Sequence, residues 1–211
     1  MLRIEDLGIR FGQTNIFIAQ NLHVAKGELV CLTGPSGCGK TTLLKAIMGF
    51  VSPYKGAIVV DGIQLIPQTV HTIRHSIAWM PQALSLPCEW VKEMVNLPFN
   101  LKVNKSTAFP KEKLLEYFDA LDLEKELLEK RLHEISGGQK QRILLAITAL
   151  QEKSLIIIDE PTSALDKSSA QKALRFVQQL AIKGRAVLAV SHDPLFIEGC
   201  NKVVELTNHN S

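Results

Sequence analysis

A glycine-rich segment between an apolar run and a helical pattern constrains the fold of this chain more than any other feature. Residues 29–33 read Leu-Val-Cys-Leu-Thr, and residues 34–41 read Gly-Pro-Ser-Gly-Cys-Gly-Lys-Thr. A continuous apolar run is typical of a strand that is buried on both faces, as in a parallel sheet. Apolar residues then recur at helical spacing through 41–50. This order of strand, loop and helix predicts an α/β fold.

The loop itself matches the pattern G-x-x-x-x-G-K-[ST] of a phosphate-binding loop. Its glycines let backbone N–H groups converge on phosphate oxygens with no Cβ in the way. The helix that begins near Lys40 adds the positive end of its dipole. In such a loop Lys40 lies along the β- and γ-phosphates, and the Thr41 hydroxyl ligates Mg²⁺. The predicted nucleotide contacts here are Gly34, Pro35, Ser36, Gly37, Cys38, Gly39, Lys40, Thr41 and Thr42.

An acidic pair follows a second apolar run, since Asp159 and Glu160 come directly after residues 155–158. Taken alone, such a pair is more often part of a helix-capping turn. Acidic residues at the carboxyl end of a strand in a parallel sheet lie beside the nucleotide crevice. With a phosphate loop in the same chain, we predict that Asp159 is the Mg²⁺ partner and that Glu160 polarises the attacking water.

The segment Ile-Ser-Gly-Gly-Gln at 135–139 predicts a second phosphate-binding helix end. Ser136 is a good N-cap residue, and Gln139 three residues later completes a capping-box pattern. Gly137 and Gly138 leave the backbone N–H groups open to an anion. One phosphate loop already surrounds its own nucleotide, so this second helix end is best used on the γ-phosphate held by a neighbouring molecule. A kinase or GTPase would leave the segment unexplained.

Together these motifs resemble the ABC (ATP-binding cassette) ATPases, whose signature is Leu-Ser-Gly-Gly-Gln. Ile135 replaces the leucine, which is a mild apolar change. The resemblance covers essentially the whole chain, with six motifs in the family's order. It implies a P-loop NTPase core of the RecA-like type, an N-terminal antiparallel β subdomain and an inserted helical subdomain.

The resemblance also implies roles for residues outside the loop. Phe11 is similar to the aromatic residue that stacks on adenine, and Gln82 to the glutamine that touches Mg²⁺ and water. Asp166, in Ser-Ala-Leu-Asp at 163–166, resembles the D-loop, and His192 resembles the switch histidine that senses the γ-phosphate. The predicted catalytic residues are Glu160, His192 and Gln82; the metal ligands are Thr41, Gln82 and Asp159; the further nucleotide contacts are Phe11, Ser136, Gly137, Gly138, Gln139 and Asp166.

The rest of the sequence predicts one domain, 1–211, with a mostly helical insert at about 83–135. Apolar segments at 2–4, 8–11, 16–19 and 22–24 are typical of short strands, and a hairpin is expected around Gly56 and Gly62. Further strands are expected at 77–80, 154–158 and 185–190, and further helices at 139–150 and 167–183. Only a short tail follows the last strand.

Composition narrows the class of protein. The 211 residues are 46% hydrophobic and 21% charged, and the formal net charge of +3 does not argue for a nucleic-acid surface. No apolar run approaches the roughly 18 to 20 residues of a membrane-spanning helix, and the first residues do not predict a signal peptide. Four cysteines without paired spacing suit a reducing cytosol.

The resemblance implies an ATP- and Mg²⁺-dependent hydrolase that pairs head-to-tail, as a homodimer or with a sister ATPase. We expect it to power a separate multi-span membrane subunit from the cytoplasmic face of the cell membrane. A soluble ABC ATPase that acts on a cytosolic assembly, such as an iron–sulfur scaffold, is the alternative. The short chain and Asn-Leu-Pro-Phe at 96–99 are similar to small bacterial ATPases of iron export. The transported substrate and the direction of transport stay open.

Two hypotheses concern accessible side chains. Cys38 lies inside the phosphate loop near a helix N-terminus, which favours a reactive thiol that ATP protects. An apolar segment follows Gln82, and it either closes the core of the insert or forms a groove for the membrane subunit with Trp90 as its anchor. Its residues are Leu84, Leu86, Trp90, Val91, Met94, Val95, Leu97 and Phe99.

Overall fold

The structure, a computed structural model, describes residues 1–82, 87–101 and 109–207. Its strands are β1 (Leu2–Phe11), β2 (Thr14–Val24), β3 (Leu29–Thr33), β4 (Lys55–Val60), β5 (Ile63–Gln64), β6 (Ile77–Met80), β7 (Leu155–Asp159), β8 (Ala186–Val190) and β9 (Lys202–Glu205). Its α-helices are α1 (Lys40–Ile47), α2 (Val70–His75), α3 (Val91–Asn100), α4 (Lys111–Ala120), α5 (Gly137–Leu150), α6 (Lys167–Ile182) and α7 (Pro194–Glu198). A 3-10 helix, Lys125–Glu129, follows α4.

The strands form one antiparallel and one parallel sheet. The antiparallel sheet has the order β2-β1-β4-β5. The parallel sheet has the order β6-β7-β8-β3-β9. Every residue of β7 and β8 is buried, as expected for a parallel sheet that is covered on both faces. The predicted α/β class, with an N-terminal antiparallel sheet and additional helices, is confirmed.

The first two strands are longer than the sequence indicates. Residues 2–4 and 8–11 belong to the single strand β1, and residues 16–19 and 22–24 belong to β2. The pairing of these strands shifts register between Ile4 and Leu7, and Asp6 has a positive φ of 50° there. A bulge keeps a strand continuous while it breaks the alternation of side chains. The register shift therefore interrupts the alternation of apolar residues in β1, and the sequence suggests that a strand ends where β1 in fact continues.

The carboxyl-terminal half follows the predicted alternation, with shifts of one or two residues at the element ends. The tail differs from the expectation, because residues 202–205 form β9 and pair in parallel with β3. The helices α2 and α7 were also not predicted. Each buries a single residue, Ile73 and Phe196 respectively, so neither has an apolar stripe. None of the helices in the described ranges is both long and apolar enough to span a membrane.

The helices between β6 and β7 pack into the core cluster that also contains buried residues of the parallel sheet. Val91, Met94 and Val95 occupy positions i, i+3 and i+4 of α3 and are at most 1% exposed, because they pack with buried residues of α4 and α5. Leu97 is half-buried, and Phe99 packs against the same core. The expectation that the three buried residues line a docking groove is therefore wrong.

Trp90, the expected anchor of that groove, directly precedes α3 and is half-buried. Its ring makes cation–π contacts with two side chains of the same chain. The Arg131 guanidinium carbon lies 5.0 Å and the Lys92 ammonium nitrogen 5.4 Å from the ring centroid. Leu84 and Leu86 lie outside the described residues. The role of Trp90 as an anchor stays a prediction.

Candidate active site

Three adjacent parallel strands end at the same edge of the sheet. β8 lies between β7 and β3. From these strands the chain continues into Glu160, into Ser191 and His192, and into the loop 34–39. The carboxyl edge of a parallel sheet is where ligands bind in open α/β folds. This topology brings the phosphate loop, the acidic pair and His192 together.

The loop 34–39 is shaped by its glycines. Gly39 precedes α1 with a φ of 98°, and a Cβ there would lie 2.6 Å from Ile16 Cγ2. Only glycine combines this left-handed backbone with such close packing. Gly37 is also left-handed, with a φ of 79°, but it has open space where its Cβ would stand. The backbone of Gly37 is therefore accessible to an anion.

Lys40 lies against the inside of the loop. Its Nζ donates to the carbonyl oxygens of Gly34 and Pro35 at 2.8 and 2.9 Å. Although charged, Lys40 is only 9% exposed. These bonds to two carbonyls offset the cost of burying the ammonium group, and they hold it at the edge of the cavity that Lys40 lines.

Cys38 is not the accessible thiol that its position in the loop suggests. It is 2% exposed, its Sγ lies 3.8 Å from Lys40 Nζ, and it belongs to the apolar cluster beneath the loop. A Cβ on Gly34 would lie 3.0 Å from this Sγ. The thiol is directed inward because it fills the space between the loop and the core, so the expectation of an exposed Cys38 is wrong. Its protection by ATP stays a prediction.

A cavity of about 340 Å³ opens beside the loop. It brings together most of the residues that were predicted to bind and hydrolyse a nucleotide. The predicted site residues that line it are Ser36, Gly37, Gly39, Lys40, Thr41, Thr42, Gln82, Asp159, Glu160 and His192. Val190, at the end of β8, also lines it and was not predicted.

The two carboxylates at the end of β7 are buried at the edge of this cavity. Asp159 is 6% and Glu160 9% exposed. Burial raises the pKa of Asp159, and the charges of Lys40 and Lys45 only partly oppose that change. Burial also raises the pKa of Glu160, while the neighbouring His192 acts in the opposite direction. A raised carboxyl pKa in a cleft is what a general base requires, because its proton affinity then approaches that needed near neutral pH.

Glu160 has a strained backbone. Its φ is +55°, a left-handed value that is uncommon for residues other than glycine, asparagine and aspartate. Its backbone N–H donates to the Val190 carbonyl at 2.9 Å, which fixes it to β8. His192 Nε2 lies 3.6 Å from Glu160 Oε1, and the histidine side chain is 57% exposed. The turn therefore directs the Glu160 carboxylate into the cavity beside His192.

The helix α5 begins with the predicted capping box. Ser136 Oγ accepts from the Gln139 backbone N–H at 3.1 Å, and Gln139 Oε1 accepts from the Ser136 N–H at 2.9 Å. A Cβ on Gly138 would lie 3.1 Å from the Ala164 carbonyl oxygen, so close packing against the turn after β7 also favours glycine there. Residues 136–139 do not line the phosphate-loop cavity of their own chain.

Five further predicted contacts also lie outside this cavity: Phe11, Asp166 and, in the loop itself, Gly34, Pro35 and Cys38. Phe11, at the end of β1, is 54% exposed. Asp166 is the N-cap of α6, and its carboxylate accepts from the backbone N–H and the hydroxyl of Ser169 at 3.0 and 2.9 Å. These bonds lower the pKa of Asp166 and give it a local structural role. Nucleotide binding by Phe11 and Asp166 stays a prediction.

Gln141 was not predicted and is the main addition to the site. It is 7% exposed, and its side-chain amide bonds to the turn that carries Glu160. A signal was present in the sequence. Gln141, Leu145 and Thr148 share one buried face of α5 at helical spacing, and a buried polar residue on an apolar face has to find hydrogen-bond partners.

The oxygen atoms around the cavity fit Mg²⁺. The Thr41 hydroxyl, the Gln82 amide and the Asp159 carboxylate all line it, and hard divalent cations prefer such oxygen ligands. Mg²⁺ usually takes one or two carboxylates and completes its shell with water and substrate phosphates. These three residues would hold the ion.

Comparison with known proteins agrees with this geometry. The family described as ABC transporter matches residues 19–163, which is more than half of the chain. The glycine betaine/carnitine/choline transport ATP-binding protein OpuCA of Bacillus subtilis is 33% identical over 202 residues, which cover 92% of this chain and 51% of OpuCA. The chain thus spans about half the length of that relative.

Two other similar proteins match over nearly their whole length. The probable iron export ATP-binding protein FetA of Escherichia coli is 29% identical over 210 residues, which cover 99% of this chain and 92% of FetA. A solved dimeric structure of the ATP-binding cassette MJ0796, in a post-hydrolysis state with ADP and Pi, has a TM-score of 0.85 at 26% identity. That match covers 98% of this chain and 94% of MJ0796. The phosphate loop, the acidic pair and the capped glycine helix thus lie in the family's fold, and the chain belongs to the ABC transporter family.

Proposed function

We propose that this chain binds ATP at its phosphate loop and hydrolyses it with Glu160 as the general base, and that the reaction powers a membrane transporter. The observation that carries the proposal is the cavity in which the loop, the acidic pair and His192 meet. The family match supports ATP as the nucleotide. The fold of a cassette bound to ADP and Pi supports hydrolysis.

The polar groups that line the cavity divide this reaction among them. The backbone of the loop and the Lys40 ammonium bind the phosphates. Glu160, ionised, accepts a hydrogen bond from the attacking water and takes its proton. His192, beside Glu160, contacts the γ-phosphate. Thr41, Gln82 and Asp159 would hold Mg²⁺, which would neutralise charge on the phosphate oxygens.

Two copies of the chain, or this chain and a sister ATPase, enclose the nucleotide. The N-terminal end of α5 does not line the phosphate-loop cavity of the same chain. The positive end of a helix dipole favours an anion. Ser136 and Gly137 of one chain would therefore contact the γ-phosphate held by the other. The dimeric state of the MJ0796 cassette supports this arrangement.

The transporter role rests on the relatives. OpuCA and FetA are named as transport and export ATP-binding proteins, which favours transport over the alternative of an ATPase that acts on a cytosolic protein assembly. The membrane-spanning part would be a separate subunit, with this chain bound at the cytoplasmic face.

Kinetics of Glu160→Gln test the proposal. The amide cannot take a proton from water, so hydrolysis should fall by about 10² or more while ATP affinity is kept. Glu116→Gln, an identical change on the exposed side of α4, is the matched control and should hydrolyse ATP like the wild type. A Glu160→Gln variant that still hydrolyses ATP at the wild-type rate would overturn the assignment.

A further inference from the structure

A buried amide connects the turn at Glu160 to the helix α5. Gln141 Nε2 donates to the Glu160 carbonyl at 2.5 Å and to Ser163 Oγ at 3.2 Å. Gln141 Oε1 accepts from the Ala164 backbone N–H at 2.9 Å. The side chain thus uses both of its donor hydrogens and its acceptor on a single turn. Few side chains offer that combination, and none of the charged ones does.

The turn needs such support because Glu160 is strained. A left-handed backbone is unfavourable at an ordinary residue and persists only where its surroundings hold it. β8 holds the turn through the Glu160 N–H, and Gln141 holds it through the Glu160 carbonyl. If φ of Glu160 relaxed to a negative value, the carboxylate would be turned away from its present direction.

The same amide belongs to the helix whose first turn is directed to the second nucleotide. Gln141 lies one turn after Gly137 in α5. The Gly138 backbone packs against the Ala164 carbonyl, where a Cβ would lie only 3.1 Å away. A displacement of α5 therefore moves the turn that carries Glu160, because the two are joined by hydrogen bonds and by close packing.

We propose that Gln141 is a positioning residue for ATP hydrolysis. Its hydrogen bonds keep the Glu160 carboxylate directed into the cavity, and they couple the orientation of this carboxylate to the position of α5. The inference rests on the proposed function of Glu160. Gln141 itself does not line the phosphate-loop cavity, so it would not contact the nucleotide. Its removal should therefore lower kcat and leave the binding of ATP unchanged.

The variant Gln141→Glu tests the hydrogen bonds themselves. Ionised, the new carboxylate accepts from Ala164 but cannot donate to the Glu160 carbonyl. Protonated, its hydroxyl donates again, which restores the link. The kcat of Gln141→Glu should fall about tenfold near pH 8, in line with the effect of small misplacements of reacting groups, while KM for ATP changes by less than about twofold.

The pH dependence separates positioning from a general loss of structure. The ratio of the Gln141→Glu kcat to the wild-type kcat should rise as pH falls from about 8 to about 6, because burial raises a carboxyl pKa towards this range. Gln141→Asn is neutral but one methylene too short to reach the Glu160 carbonyl. Its kcat should be low, with a ratio to the wild type that does not change with pH.

Gln178→Glu is the matched control, because Gln178 Nε2 donates to the Gly199 carbonyl at 2.8 Å, outside the cavity. It should keep the wild-type kcat at every pH, whatever happens to its melting temperature. Wild-type and Glu160→Gln rates are measured alongside. If the wild type does not hydrolyse ATP, the proposed function is rejected. If the wild type is active and both Gln141 variants keep its kcat, the role of Gln141 is rejected. A raised KM at unchanged kcat in these variants also rejects that role. A flat or falling Gln141→Glu ratio also rejects it.

Discussion

At the scale of single residues, two buried carboxylates in the site lower the stability of the folded chain when they are ionised. Asp159 and Glu160 are ionisable groups buried beside a cavity, and burial raises the pKa of both. A raised carboxyl pKa in the folded chain means that the ionised form is disfavoured there. In the proposed function the same two carboxylates would bind magnesium and accept the proton of the attacking water, so the cost of burying them would serve the reaction.

The variant Asp159→Asn should therefore stabilise the chain near neutral pH when Mg²⁺ and nucleotide are absent. The folded state binds a proton at Asp159 more tightly than the unfolded state, so ionised Asp159 opposes folding above its raised pKa. The melting temperature should rise by about 2–4 °C for each kcal/mol that the substitution relieves. The gain should shrink as pH falls to the ordinary aspartate range. Asp119→Asn, on the exposed side of α4, should change nothing, and a lower melting temperature for Asp159→Asn would contradict the cause given for its pKa.

The pH dependence of hydrolysis reports on Glu160 directly. Because the base must be ionised, kcat should fall as pH falls through the raised pKa of Glu160, at a pH above the ordinary glutamate range of about 4.3. Protonated His192 favours ionised Glu160. His192→Ala should therefore move this acid limb to higher pH, apart from any loss in maximal rate. His23→Ala, on the exposed side of β2, serves as the control, and an unmoved limb in His192→Ala speaks against the pairing.

At the scale of elements, α5 organises the site and the helices before it. Its first turn is capped by Ser136, its buried face carries Gln141, and Arg142 points to α4. Arg142 Nη1 donates at 2.7 Å to each of the carbonyls of Leu121 and Asp122. These carbonyls follow the last turn of α4, where a helix leaves backbone acceptors without partners.

The variant Arg142→Leu should accordingly loosen the helices between β6 and β7. It removes the donor from the exposed Asp122 carbonyl and from the partly buried Leu121 carbonyl. The loss at the partly buried carbonyl costs about 1–3 kcal/mol of unfolding free energy. Chemical denaturation monitored by circular dichroism measures this. Lys92→Leu removes an exposed pair with Glu129 instead, and such pairs contribute about 0–1 kcal/mol. Equal effects of the two substitutions would mean that the carbonyl bonds of Arg142 do not stabilise the helices.

Sequence patterns predicted the elements that bury a regular face and missed those that do not. The buried strands β7 and β8, the largely buried helix α5 and the amphipathic helix α6 were predicted to within two residues. β9 was missed because it is a four-residue edge strand with no buried residue, only Val204 being half-buried. α2 and α7 were missed because one buried residue makes no periodicity.

The site shows a similar division. Local patterns led to the phosphate loop and the acidic pair, because their chemistry is set by neighbours in sequence. The bonds of Gln141 join residues 19 and 23 positions apart, and no local pattern reports such contacts. The close packing of Gly34 likewise depends on Leu206, whose carbonyl lies where a Cβ of Gly34 would stand and which directly follows the unpredicted β9.

At the scale of the whole molecule, the proposed active site is divided between two chains. One chain would supply the cavity beside the loop, and the other would supply the capped end of α5. Neither part would be sufficient in this arrangement, since the end of α5 does not line the cavity of its own chain. ATP would therefore act as the contact between two molecules, and hydrolysis would separate them.

The most direct test is the mass of Glu160→Gln in Mg-ATP, measured by size-exclusion chromatography with light scattering. Because this variant should bind ATP without hydrolysing it, we expect the mass of one chain without nucleotide and that of two chains with it. Adding Ser136→Arg places a bulky cation at the end of α5, and it should return the mass to that of one chain while ATP still binds. Glu160→Gln that binds ATP and keeps the mass of one chain, or an ATP-dependent dimer that Ser136→Arg does not affect, would contradict the shared site.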